Sequence, residues 1–222
     1  MRLRKLRIGL QRLLEFLLRD KDNPSSVQSC LSAARRNGRA QRTALTRDMW
    51  ESLNAAWIDF PDRAEAAIAG GTLPDLLDWI RDRSALFRGA MLNTILRNDT
   101  FWFQQLGTFL ERADNTARIL EVRHHVLLPE SALAGGGVDS TQLSAILRSV
   151  SAHRSFRWVY RDAFKPWHVA DFLILNPQMP RSLRSCYVQL DGSLSALTAS
   201  YGTEPPCRAM AADTLGRLAR GD

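Results

Sequence analysis

Apolar residues recur along most of this chain at the three- and four-residue spacing of helices, and segments that alternate apolar and polar residues at strand length hardly occur. The clearest pattern runs from Leu106 to His125. At about 100° per residue it places Leu106, Phe109, Leu110, Ala113, Ala117, Leu120 and Leu127 on one face, and Glu111, Asp114, Asn115, Arg118 and His125 down the other. Ile119, Val122 and Val126 flank that polar stripe, which predicts that a second helix covers it and encloses its acid, amide and guanidinium groups.

The same spacing predicts a first helix from Leu3 to Arg19. Asn23 then caps a second helix, with Pro24 in its first turn, that carries Ser26 to Ala44 with Gly38 weakening its middle. Met49 to Ile58 reads as a short helix with Trp50, Leu53, Asn54 and Trp57 on one side. Phe60-Pro61 breaks it, and Asp62 to Ala69 forms another. A helix starting at Thr72-Leu73-Pro74 and a near-continuous helical pattern from Ala85 to Leu127 follow, jointed at Arg97-Asn98-Asp99. Gly135 to Gly137 reads as a linker, Asp139 or Ser140 caps a helix to Tyr160, and Lys165-Pro166 opens one toward Leu175. Residues 201–222 are expected to be a tail or a short helix. The expected fold class is all-α, a bundle of about nine helices.

An internal repeat strengthens this picture. Phe16 to Cys30 aligns without gaps on Phe172 to Cys186, an offset of 156 residues, with Phe, Leu, Pro, Ser, Ser and Cys coinciding. The match crosses a helix, a proline corner and a second helix, so the bundle is expected to contain a duplicated helical unit, with Cys30 and Cys186 as small buried packing residues. Glu111 stands 61 residues before the second copy, whereas the first copy begins at residue 16. An equivalent of the Glu111 helix would therefore precede Met1, and the first Glu-Arg helix is expected to be missing.

Composition narrows the function classes. With 222 residues and 45% hydrophobic content the chain can bury a substantial core. The formal net charge of +7 is nearly all arginine, but these arginines are interspersed with acids, and no recognition-helix or zinc spacing accompanies them. Ordinary solvated helix faces account for them better than a nucleic-acid surface, which stays as a weaker alternative. Three cysteines without a CxxC pair favour a reducing, cytoplasmic setting. Charges interrupt every apolar run of residues 1–18, so no signal peptide or transmembrane segment is expected; a membrane-surface helix there is a minor alternative.

Candidate chemistry centres on Glu111 with Asn115 and Asp114 with Arg118, each pair spaced to interact along one helix. Three roles stay open: a polar lock between helices, a ligand site for a metal, an amine or a nucleotide-bearing partner, and catalysis, which would need a carboxylate pKa shifted upward. Arg112, Arg123 and His125 complete this polar-groove set. Arg35, Arg39 and Arg42 share one helical face and form a candidate anion site. No GxSxG elbow, Walker loop, GxGxxG or HExxH occurs, and adjacent His124 and His125 point apart, so neither a metal site nor a cofactor is expected.

Phe103-(x)3-Gly107-(x)2-Leu110-Glu111-Arg112-Ala113-Asp114, continuing through Thr116, Arg118, Ile119 and Arg123, resembles the Glu-Arg motif of the alpha-E domain, a bacterial all-helical family. Asn23-Pro24-Ser25-Ser26-Val27, Ala34-Arg35, Asn37, Arg39, Arg42, Met49-Trp50 and Leu53-Asn54 resemble its first-half signature, and Phe172 to Cys186 its last part. The resemblance spans residues 16–200 as a single domain of two pseudo-repeats, with 1–15 matching poorly. Arg36 stands where the family usually has an acid and Gly38 where alanine is commoner. What the resemblance implies is a setting beside ATP-grasp ligases and transglutaminase-like peptidases that form and cleave peptide amide bonds. In that setting the chain is expected to be an accessory partner, with self-association through an unpaired apolar face. The rival expectation is an enzyme working at the Glu111/Arg118 cluster on amide or phosphate-linked bonds.

Overall fold

A computed structural model of the chain describes residues 2–70, 72–122, 140–161 and 164–221. They form ten α-helices and one short 3-10 turn, with no strand among the described residues. In chain order these are α1 (Arg2–Leu18), α2 (Val27–Ala40), the 3-10 turn (Arg42–Ala44), α3 (Arg47–Gly70), α4 (Leu73–Thr94) and α5 (Asp99–Val122). Then follow α6 (Ser140–Ser149), α7 (His153–Val159), α8 (Pro166–Ile174), α9 (Leu183–Tyr201) and α10 (Pro206–Arg220). The chain divides into two compact units, Met1–Leu96 and Arg97–Asp222.

In the first unit α3 packs on both α2 and α4, and α1 closes over α2 and α3. Its core gathers Leu18, Phe60, Ala64, Ala67 and Leu76, with Phe60 stacked on Trp79 at 6.4 Å between ring centroids. The break expected at Phe60-Pro61 does not occur, because α3 runs unbroken through Pro61. Proline in a helix interior removes one hydrogen bond and crowds the carbonyl four residues back, at a cost of about 3 kcal/mol. Here Pro61 is exposed, while Phe60, Ala64 and Ala67 are buried on one face, so packing on both sides keeps the two halves in register. Gly38 is also more than a weak point. A Cβ there would meet Leu45 Cδ1 at 3.1 Å and Leu53 Cδ2 at 3.3 Å, so its bare backbone is what lets α2 approach α3.

In the second unit α9 packs on α5 and on α10. A separate cluster of Leu143, Ile146, Leu147, Val150, Phe156, Val169, Phe172, Leu173 and Met179 joins α6, α7 and α8, centred on Phe156, whose ring lies 5.6 Å edge-on to Phe172 and 4.9 Å from Tyr160. The single helix expected up to Tyr160 is two helices. Ser151 takes a left-handed conformation at φ 56°, and the Ser151 and Ala152 amides close the turn onto the Arg148 and Leu147 carbonyls. The expected tail is α10, a fifteen-residue helix whose Ala211 and Leu218 are buried.

The two repeat segments fold alike. α1 ends at Leu18 and α2 begins at Val27; α8 ends at Ile174 and α9 begins at Leu183, each boundary shifted by the offset of the sequence match. Ser26 and Ser182, both fully buried, are the N-caps of α2 and α9 and accept from the amides of Ser29 and Ser185 at 3.1 and 3.0 Å. The Cys30 and Cys186 thiols donate to the carbonyls of Pro24 and Pro180 at 3.8 and 3.9 Å. Asn23 is therefore not the cap. Its Oδ1 accepts from the Ser25 amide and its Nδ2 donates to the Phe16 carbonyl, holding the corner one turn earlier.

Candidate functional site

Glu111, Asp114, Asn115 and Arg118 are all exposed on α5. Both expected pairs form along the helix: Arg118 Nε donates to Asp114 Oδ2 at 2.6 Å, and Asn115 Nδ2 donates to the Glu111 carbonyl at 2.9 Å and to Glu111 Oε1 at 3.4 Å. The Asp114 bond holds the Arg118 pKa above its ordinary value. The covering helix expected over this stripe is not what the fold provides: the side chains of Arg118 and Asp114 keep 70% and 46% of their accessible surface. An ion pair this exposed adds little stability, since it is screened and costs side-chain entropy.

The lock between helices is real but is built from neighbouring residues. Arg112 Nη1 donates to the Pro180 carbonyl at 3.3 Å, and Thr116 Oγ1 donates to the Arg181 carbonyl at 2.9 Å. Between them Ala113 is 6% exposed and Thr116 1%. α5 thus turns the Arg112-Ala113-Thr116 edge toward the α8–α9 corner, where a small residue permits close approach and two side-chain donors meet carbonyls that precede the first turn of α9. Leu110, expected on the inner face, is consequently 62% exposed, and Ala117 is exposed as well. From the sequence Arg112 counts with the polar groove, while Thr116 enters only as part of the Glu-Arg motif and without a site role. The available signal was the pairing of two donors four residues apart around an alanine. The adjacent Glu111 and Arg112 point to different surroundings, one to solvent and the other to the corner.

Cys186 sits under this lock, fully buried; burial pushes its thiol pKa up, against an opposing pull from Arg112 and Arg181. Its counterpart Cys30 is exposed, so the expectation that both cysteines are buried holds only in the second unit. Arg123 and His125 lie outside the described residues, as do His124 and Gly135 to Gly137.

The candidate anion face is largely spoken for. Arg35 lies 4.0 Å above the Trp57 ring and donates through Nε to Asn54 Oδ1 at 2.9 Å; Arg42, in the 3-10 turn, lies 5.4 Å above Trp50 and donates to the Leu45 carbonyl at 3.2 Å. Only Arg39 of the three, with Arg36 beside it, points away on the exposed side of α2.

Hollows occur elsewhere among the described residues. One of about 340 Å³ is lined by Asp171, Asn176, Arg184 and Arg220; another, about 700 Å³, lies between α3 and α4 beside Asp48, Glu51 and Leu86. Neither contains Glu111 or Arg118. Near the first, the Tyr160 hydroxyl donates to Asp171, and burial followed by that bond pushes the phenol pKa up to about 12. No group of three His, Cys, Asp or Glu suited to a metal occurs among the described residues, and no helix among them is long and apolar enough to cross a membrane.

The model of the Alpha-E family, described as a predicted alpha-helical domain with a conserved ER motif, matches residues 3–222. The match takes in the first helix and the last as well as the segments between. No curated protein and no solved structure matches the chain. The sequence contains a single Glu-Arg dipeptide, Glu111-Arg112.

Proposed function

This chain belongs to the Alpha-E family, and from that premise we propose that it is an accessory partner in a system that forms and cleaves peptide amide bonds, docking an ATP-grasp ligase or a transglutaminase-like peptidase through the outer face of α5. The observation that carries this reading is the exposure of Glu111, Asp114, Asn115 and Arg118 together with Phe103 and Leu110, which keep 56% and 62% of their surface. Exposed aromatic side chains and arginine are residue types enriched where proteins bind one another, and Phe103 and Arg118 supply both on this face. Glu111 stands open to solvent with its carboxylate accepting from Asn115, an arrangement that supports recognition of a partner.

The test is to mix the purified chain with the purified ATP-grasp protein and, separately, the transglutaminase-like peptidase, and to measure complex formation by size-exclusion chromatography and calorimetry. A complex with one of them is expected, weakened at least tenfold by Leu110→Ala and by Glu111→Gln with helicity unchanged. Absence of a complex with both proteins would sink the proposal, as would a complex indifferent to these substitutions.

A further inference from the structure

The six tryptophans of this chain are of two sorts. Trp50, Trp57, Trp79 and Trp102 are half-buried. Arginines of the chain lie over the first three rings at 4.0 to 5.7 Å, and Phe101 stands edge-on to the fourth at 4.8 Å. Trp158 and Trp167, in contrast, keep 86% and 59% of their surface. An indole left in water forgoes a large apolar burial, which marks the place as a contact surface.

Cations accompany both rings. The sequence from His153 to His168 holds Arg154, Arg157, Arg161 and Lys165 against a single acid, Asp162, and all four cations are exposed. Arg154, Arg157 and Trp158 stand at the i, i+3 and i+4 positions of α7, on one face of the helix, and Arg161 follows just beyond its end. Lys165 Nζ lies 5.6 Å from the Trp167 ring at the head of α8. Among the described residues none of the four cations pairs with an acid. The opposite face of α7 holds this surface in place. Phe156 is fully buried, Tyr160 stacks on His168 at 4.6 Å, and the Phe156 and Tyr160 rings meet Phe172 of α8 at 5.6 and 6.0 Å.

The occupant must be anionic and must offer flat rings. At a lipid surface a helix sinks its apolar face and keeps its cations on the other. The apolar face of α7 is already taken up by the burial of Phe156, and Trp158 shares its face with arginines. Cations interleaved with indoles match a single strand of nucleic acid, whose phosphates run beside bases free to stack on aromatic rings. A duplex keeps those base faces stacked on one another.

We infer that the face of α7 carrying Arg154, Arg157, Trp158 and Arg161, continued by Lys165 and Trp167 at the head of α8, binds single-stranded nucleic acid. Bases stack on the two indoles and the four cations hold phosphates. Stacking and phosphate contact read no particular sequence. These residues lie outside α5, so the inference does not rest on the proposed function.

The full-length chain is titrated into a fluorescein-labelled oligothymidylate of about twelve nucleotides, within the span of single-strand sites, and anisotropy is read at several salt concentrations. With four phosphate contacts at roughly 0.7 each, the logarithm of the binding constant is expected to fall with that of salt at a slope of about −2.8. Arg154→Gln with Arg157→Gln is expected to shrink that slope by about 1.4. Arg47→Gln with Arg217→Gln, at exposed arginines of α3 and α10, removes the same charge and is expected to leave the slope unchanged. Trp158→Ala is expected to weaken binding at least about fivefold with circular dichroism unchanged, because the ring is 86% exposed, and Trp158→Phe to recover most of the loss.

No binding at low salt overturns the inference. Equal losses from the two arginine pairs do the same, because binding would then follow net charge and not this surface. A Trp158→Ala variant that binds like the parent also overturns it, as does a preference for duplex DNA of the same length. Displacement of the oligonucleotide by polyglutamate at equal charge would assign the surface to an acidic peptide. Binding to phosphatidylglycerol vesicles without binding to the oligonucleotide would assign it to a membrane. Either result overturns the single-strand reading.

Discussion

Thr116 and Glu111 lie within two turns of one helix, and their environments assign them opposite roles. Thr116 is 1% exposed and donates to a carbonyl at the head of α9, so Thr116→Val leaves that acceptor unsatisfied in a closed interface and is expected to cost about 1–3 kcal/mol in urea unfolding. Glu111→Gln, on the exposed side, is expected to stay within about 0.5 kcal/mol of the parent. A larger loss at Glu111 than at Thr116 would contradict the assignment of the lock to the Arg112–Thr116 edge.

Tyr160 supplies a titration at the same scale. Burial and its bond to Asp171 favour the neutral phenol, so the folded pKa stands near 12 against 10.0 for the free side chain. A folded-state pKa above the unfolded one means that this stabilisation is complete below pH 10 and is lost as the pH rises from 10 through about 12. Phenolate absorbance should show Tyr160 titrating late. Asp171→Asn should move it back only in part, because burial is the larger cause; a full return to 10.0 would refute that order of causes.

Helix boundaries followed the local code wherever that code was strong. Pro74 and Pro166 stand in the first turns of α4 and α8, as placed from sequence, and the joint at Arg97 to Asp99 separates α4 from α5. The code failed where packing opposed it. Pro61 reads as a break in any local window, yet α3 continues through it as one helix, with Phe60, Ala64 and Ala67 buried on either side. Pro61→Ala is therefore expected to stabilise the chain by about 1–3 kcal/mol, because it restores a hydrogen bond at a position whose side chain is exposed and packs against no core. A destabilised variant in urea unfolding would refute this expectation. Conversely, neither glycine nor proline announced the turn between α6 and α7, where the tertiary burial of Val150 and Ala152 sets Ser151 in a left-handed conformation.

For the molecule as a whole, the repeat was the most informative sequence feature. It located two corners whose caps, thiol bonds and helix ends coincide, because a serine cap and a proline corner are specified by residues next to each other in the chain. It did not foretell that the chain resolves into two compact units dividing between residues 96 and 97, nor that the two corners would differ in cover. Cys30 and Cys186 occupy equal positions in the repeat, and one is exposed while the other is fully buried.

By itself the sequence determined the all-α class, most helix starts, the duplicated corner, the family, and the helix that carries Glu111 and Arg112, since each follows from spacing along a few adjacent turns. Only the tertiary structure decided which edge of that helix faces inward. The inward edge is chosen by donors finding carbonyls some 65 residues further on, at Pro180 and Arg181, and no periodicity within the helix encodes that meeting. The polar stripe was legible as a stripe, and its exposure was settled by how α5 turned to satisfy the α8–α9 corner.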